Sequence, residues 1–237
     1  MSTSAPEQAR PQLRIQDVHA DVAGQSVLQG LSLDIKQGEF VAVFGHNGAG
    51  KSTLLRTLLG LTHTKQGRIE LNGADITRVP TPRIVESGVA LVPQQRGYFE
   101  NLSVADNLDF GERGDGRITR EHVLEMFPAL RERSGQLVGT MSGGQRQMVA
   151  ISIALMSSPQ LLMLDEPSVG LQPNLVDAVM RVAQQINEEF GITVILVEQN
   201  IEKVLKVVQR VVVINRGRVM LDEPVAKVGA DDIWRLL

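Results

Sequence analysis

The stretch EFVAVFGHNGAGKSTLLRTLLGL, residues 39–61, decides how this chain is read. Residues 39–44 form a short apolar run that reads as a buried strand. Residues 45–52 then spell G-x-x-x-x-G-K-S, and residues 53–61 repeat leucine at helical spacing. A strand before and a helix after are the context that gives this motif its meaning. Gly45, Gly48 and Gly50 let the backbone approach a phosphate chain with no side chain in the way. The loop N–H groups and the first helical turn present partial positive charge to it. Lys51 is expected to reach the β- and γ-phosphates, and the Ser52 hydroxyl to complete a Mg²⁺ shell. His46, Asn47, Ala49 and Thr53 complete the candidate nucleotide-binding stretch. The competing reading is a glycine-rich turn that merely caps a helix.

The chain has 237 residues, enough for one large α/β domain or one domain with an insertion. Its net charge of −3 gives no basic face of the kind a nucleic acid needs. It has no cysteine, which excludes disulfides, thiolate nucleophiles and Cys-based metal sites. Residues 1–12 are polar with two prolines and are expected to be a disordered tail without a signal peptide. No apolar run approaches the length of a membrane span.

Outward from the central stretch, residues 13–18, 27–35 and 67–71 read as strands, with Gly30 interrupting the second and Asn72-Gly73 turning after the third. These are expected to form a small antiparallel layer beside the loop. Residues 89–92 are a buried strand, and from residue 95 to 141 the character shifts to charge, glycine and short helical patterns at 104–110 and 120–130. Ser103 with Asp106 reads as an N-cap pair. Residues 95–158 are therefore read as an inserted helical subdomain, ending in a largely buried helix at 142–157. Strands at 161–164, 192–197, 210–214 and 218–221 and an amphipathic helix at 173–190 complete a mostly parallel, two-face-covered α/β sheet. The expected core is thus 13–94 with 159–237.

Two further motifs carry chemistry. Leu161 to Leu164 run into Asp165-Glu166-Pro167, which puts two acids at the carboxyl end of the sheet, where α/β ligands sit. Asp165 is expected to hold Mg²⁺ and Glu166 to take a proton from an attacking water; the alternative is a strand end with solvated acids. Residues 141–148 read MSGGQRQM, in which Ser142 and Gln145 satisfy a capping box. A capped helix and a second helix N-terminus aimed at phosphate through Gly143 and Gly144 are both compatible with it.

GHNGAGKST, MSGGQRQ and LLMLDEPSVGL, in this order and spacing, resemble the ATP-binding subunit of ABC transporters over roughly residues 13–221. The resemblance implies a P-loop ATPase core with the helical insertion, ATP and Mg²⁺ as ligands, and two ATPase subunits stacked head to tail. Ser142, Gly143, Gly144 and Gln145 of one would then close on the γ-phosphate held by Lys51 of the other. Gln94 matches the family's glutamine at the junction with the helical subdomain, where it would sense Mg²⁺ and the attacking water and link to transmembrane permease subunits. Gln199 stands where the family commonly has histidine, and would hydrogen-bond the γ-phosphate without carrying charge. Gln199-Asn200 is similar to one branch, the second ATPase of importers for branched-chain amino acids, urea and related amides. Val22 or Ala23 falls where the family stacks adenine on an aromatic ring, and Gln172 replaces its usual aspartate after DEP-x-x-x-L.

The reading implied is an ATP hydrolase, peripheral on the cytoplasmic face of the membrane, powering an importer that also uses a substrate-binding protein, with no nucleic acid involved. An exporter subunit, a soluble ABC ATPase acting on nucleic acid or ribosomes, and a regulatory subunit with little turnover are the alternatives. Pairing with itself and pairing with a paralogous ATPase both remain open. Among smaller features, His19, His63 and His122 lack metal-ligand spacing. Tyr98 and Phe99 either pack under the helical subdomain or form a docking surface. Trp234 is expected to be a packed anchor for a terminal helix, and residues 113–120 a solvated loop.

Overall fold

The apolar run after Glu39 is a strand buried along its whole length, and its alternation explains the layering. The structure is a computed structural model that describes residues 11–112 and 116–237. In chain order, β1 (Leu13–Val22) and β2 (Gln25–Ile35) precede β3 (Phe40–Phe44) and α1 (Lys51–Leu58). There follow β4 (Thr64–Leu71), β5 (Ala74–Asp75), α2 (Thr81–Glu86) and β6 (Val89–Val92). Four helices come next: α3 (Val104–Gly111), α4 (Arg120–Met126), α5 (Pro128–Arg131) and α6 (Gly143–Met156). The chain closes with β7 (Leu161–Asp165), α7 (Pro173–Phe190), β8 (Thr193–Val197), α8 (Ile201–Val204), β9 (Arg210–Asn215), β10 (Arg218–Pro224) and α9 (Ala230–Trp234).

The main sheet runs β10-β9-β3-β8-β7-β6, and every neighbouring pair is parallel except β10 with β9. A second sheet, β2-β1-β4-β5, is antiparallel throughout. Side chains of a strand alternate between faces. Phe40, Ala42 and Phe44 accordingly join one core with α3, α6 and α7, whereas Val41 and Val43 join a second core with α1 and the antiparallel sheet. Leu162 and Leu164 of β7 face the first core, and Leu161 and Met163 face the second. Both faces of the parallel sheet are therefore covered, which is why its strands read as continuous apolar runs.

Gly30 interrupts β2 as expected: at φ +81° it sits at a register shift, a bulge past which the ladder with β1 continues. Other expectations change. The helix expected at 120–130 breaks at Pro128, which cannot donate to the preceding turn. Helix α2, for which the sequence offered no periodic signal, starts at Thr81-Pro82 with proline in its first turn. Residues 1–10 lie outside the described residues, but Gln12, expected in the tail, is buried. Its side chain accepts from Thr193 and donates to the Gln160 carbonyl, fastening the start of β1 beneath the main sheet. Residues 113–115 of the expected solvated loop also lie outside the described residues. Ile118, later in that loop, is buried, with its N–H on the Ser158 hydroxyl.

Candidate nucleotide site at the carboxyl edge of the sheet

The strand order β3-β8-β7-β6 sets four consecutive parallel strands side by side, so the residues that follow them emerge at one edge. After β3 comes the glycine-rich loop, after β8 Glu198-Gln199, after β7 Glu166, and after β6 Gln94. Loops at the carboxyl ends of parallel strands are where this class of sheet binds ligands. A cleft of about 770 Å³ opens there, lined by Asn47, Gly48, Gly50, Lys51, Ser52, Thr53, Gln94, Glu166, Val169 and Gln199, and by Val22, Ala23, Gln25 and Val27 from the β1–β2 hairpin.

The loop wraps closely around its own lysine. Lys51 is buried, and its Nζ donates to the carbonyls of Gly45 (2.7 Å) and His46 (3.3 Å) while lying 3.5 Å from Glu166 Oε1. Two glycines serve different ends. A Cβ on Gly45 would come within 2.5 Å of the Ile214 carbonyl oxygen, so glycine there lets the loop pack on β9. Gly48 has open space around it but adopts φ +82°, a conformation that disfavours any side chain.

Glu166 is the centre of the site. Its backbone is left-handed at φ +48°, which costs a non-glycine residue roughly 1–3 kcal/mol. The Glu166 N–H donates to the Val197 carbonyl at 2.9 Å, which holds this conformation against the end of β8. On the side chain, Oε1 faces Lys51, and Oε2 accepts from Gln94 Nε2 at 2.8 Å and Gln199 Nε2 at 2.9 Å. Gln199 Nε2 also reaches Asn47 Oδ1 at 3.4 Å. Four segments distant in sequence thus meet on one carboxylate.

Beside it, Ser52 Oγ donates to Asp165 Oδ1 at 3.0 Å. Burial pushes the Asp165 carboxyl above the usual aspartate range; the Ser52 hydrogen bond opposes this and the nearby Glu166 charge adds to it. A buried carboxylate next to a hydroxyl is a hard-oxygen donor set that fits a small divalent cation. Among the described residues no cluster of three His, Cys, Asp or Glu side chains could hold a metal alone. Such a cation would therefore depend on phosphate oxygens as well, the usual arrangement for Mg²⁺.

Ser142, Gly143, Gly144 and Gln145 do not line this cleft. They cap α6: Ser142 Oγ accepts from the Gln145 N–H, and Gln145 Oε1 accepts from the Ser142 N–H. A Cβ on Gly144 would approach Leu175 within 2.7 Å, so packing on α7 explains that glycine within a single chain. Tyr98 packs against the core, whereas Phe99 is half-exposed and lies tilted against Phe110, with ring centroids 4.7 Å apart. The expectation for Trp234 is overturned. It is 58% exposed, and the buried anchor of α9 is its neighbour Ile233. Trp234 instead lines a small pocket of about 180 Å³ behind the loop, with His46, Asn47 and Gln199. Sequence reasoning missed Glu198, which is fully buried at this edge and accepts backbone N–H groups; no motif marks it.

Comparison with known proteins identifies the family. The family profile described as ABC transporter matches residues 28–169. The high-affinity branched-chain amino acid transport ATP-binding protein BraG of Pseudomonas aeruginosa is 42% identical, over 83% of this chain and 85% of its own. The probable branched-chain amino acid transport ATP-binding protein LivF of Archaeoglobus fulgidus is 34% identical, over 87% and 89% respectively. Among solved structures, cbiO1 of Clostridium perfringens, part of the ABC transporter complex cbiONQ, superimposes with a TM-score of 0.81 at 27% identity, covering 95% of this chain and 94% of that one. A cassette solved as a dimer in a post-hydrolysis state with ADP and Pi has the same fold, with a TM-score of 0.78 at 24% identity over 90% and 98% of the two chains. The chain belongs to the ABC transporter ATP-binding family, whose members bind nucleotide and couple its hydrolysis to transport.

Proposed function

We propose that this chain is the ATP-hydrolysing subunit of an importer for branched-chain amino acids, urea or short amides. The observation that carries the chemistry is the convergence of Lys51, Gln94 and Gln199 on the Glu166 carboxylate, beside the Ser52–Asp165 pair. The two amino-acid transport relatives support the substrate class.

The loop N–H groups and Lys51 bind the β- and γ-phosphates, with Lys51 exchanging Glu166 for phosphate oxygen. Ser52, Asp165 and the Gln94 amide are suited to hold Mg²⁺, which when bound neutralises phosphate charge. Glu166 takes a proton from the water whose oxygen attacks the γ-phosphorus; the bond to the bridging oxygen breaks and ADP departs with its electrons. Gln94 and Gln199 hold Glu166 Oε2 in place, so its orientation is set before the water arrives. Gln199 also supplies a neutral donor toward the γ-phosphate. Ser142 to Gln145, away from the cleft in one chain, meet the γ-phosphate across a head-to-tail pair with a second ATPase subunit. Phe99 and Phe110 leave half-exposed aromatic surface on the inserted segment, suited to contact with a permease. Among the described residues no helix is long and apolar enough to cross a membrane, in keeping with a subunit held at the cytoplasmic face by its permease.

The test is purification of the full chain from gently solubilised membranes, with identification of every co-purifying protein. Two different multi-span proteins and a second, related ATPase are expected. Recovery alone, or with ribosomal or DNA-bound partners, would leave the hydrolase and remove the importer.

A further inference from the structure

One buried titratable group at the carboxyl edge takes no part in the chemistry above. Glu198 follows β8 directly and is 1% exposed. Its Oε1 accepts the Ser168 N–H at 2.9 Å, and its Oε2 accepts the Gln199 N–H at 3.0 Å. A single carboxylate therefore bridges two loops: the one that leaves Glu166 and the one that carries Gln199. Burying a carboxylate is costly, and a neutral acceptor would satisfy either N–H. What the carboxylate adds is two charge-assisted bonds from one rigid plane, each roughly twice as strong as a neutral one.

Both loops end at the site. Two residues before Ser168, Glu166 Oε2 accepts from Gln199 Nε2. One residue after it, Val169 is half-exposed and lines the cleft. Ser168, Glu198, Gln199 and Glu166 thus form a closed ring of contacts, Ser168 N–H to Glu198, Glu198 to Gln199 N–H, and Gln199 side chain to Glu166. With the Gln199 backbone fixed, its long side chain has fewer arrangements in which to lose the Glu166 contact.

We propose that Glu198 is a positioning residue for hydrolysis, a buried brace that locks the Ser168 loop to Gln199 and thereby aims the Gln199 amide at the Glu166 carboxylate. This rests on the role given to Gln199 above. It also ties the half-exposed Val169 segment to Gln199 through Glu198.

The test combines amide exchange and kinetics on the full chain. In the wild type, the Ser168 and Gln199 amides should be protected from exchange. Glu198→Ala should speed both by about tenfold or more. Its kcat should fall about tenfold while KM for ATP stays within about threefold, because the brace acts on the chemical step and not on phosphate binding. Combined with Gln199→Ala, it should add no more than about a twofold loss, since both changes break the same chain of contacts. Where the alanine variant does not fold, Glu198→Gln keeps the volume and one acceptor and should release one of the two amides. Unprotected amides in the wild type would overturn the brace. So would wild-type kcat in Glu198→Ala, or losses that multiply in the double variant. Full kcat in Gln199→Ala alone would remove the role of Gln199, and with it the route from Glu198 to the chemistry, even where exchange shows the two amides held; the exchange data separate these failures.

Discussion

Replacing Glu166 with glutamine should slow hydrolysis and tighten ATP binding at once, and the geometry says by how much. Glu166 Oε1 lies 3.5 Å from Lys51 Nζ, and both side chains are buried. At an effective dielectric of about 20, that separation corresponds to roughly 4–5 kcal/mol of attraction. Desolvation of the two charges offsets most of it, leaving on the order of 1–2 kcal/mol. ATP must displace this pairing to reach Lys51. In Glu166→Gln, the new amide can turn its oxygen to Gln94 and Gln199, which leaves its NH2 group facing the ammonium. Lys51 is then released to phosphate, and ATP affinity should rise about tenfold, equivalent to about 1.4 kcal/mol. Loss of the proton acceptor should lower kcat by about 10²- to 10⁴-fold. Equilibrium dialysis with ATP and steady-state phosphate release measure the two effects separately. Near-normal turnover would remove Glu166 as the base, and weaker ATP binding would show that the Lys51 contact does not compete with phosphate.

Other outcomes follow from single contacts. Gly45→Ala would drive a Cβ to 2.5 Å from the Ile214 carbonyl oxygen, so the loop must shift by close to an ångström. Overpacking of about 1–3 kcal/mol in thermal unfolding and a loss of about 100-fold in kcat/KM are expected; an unchanged kcat/KM would contradict the packing argument. Gln199→His should remain active, whereas Gln199→Ala should lose most of its rate, on the order of tenfold or more in kcat for a positioned hydrogen bond. Full activity in the alanine variant would show that neither the Glu166 nor the phosphate contact matters. Leu155→Ala empties a fully buried place in the core between α6 and the parallel sheet. It should cost about 2–5 kcal/mol in urea unfolding while leaving kcat of the folded fraction unchanged.

The elements that frame the candidate site were legible because their signals are local. The strand-loop-helix of residues 39–61 needs only apolar run, glycine spacing and leucine period, and the apolar residues before Asp165 fix the other half of the site. What the sequence could not reveal is where backbone groups point. Glu198 reads as a charged residue at a strand end and is in fact buried, because its partners are two N–H groups that no sequence pattern records. Gln12 looked like tail because its neighbours are polar and proline-rich, yet Thr193 and Gln160 bind it from 148 or more residues away. Gly144 looked like a phosphate-facing glycine, and Leu175 supplies a second reason for it that only packing reveals. Trp234 reads as the packed anchor of a terminal helix, whereas the face of α9 that meets the core is the one bearing Ile233.

The measurement that bears most directly on the central claim is uptake of radiolabelled leucine by cells whose copy of this chain has been removed and replaced with either the wild type or Glu166→Gln. Uptake should fall on removal, return with the wild type and stay low with Glu166→Gln. Uptake restored equally by both would contradict a transport subunit driven by hydrolysis at Glu166.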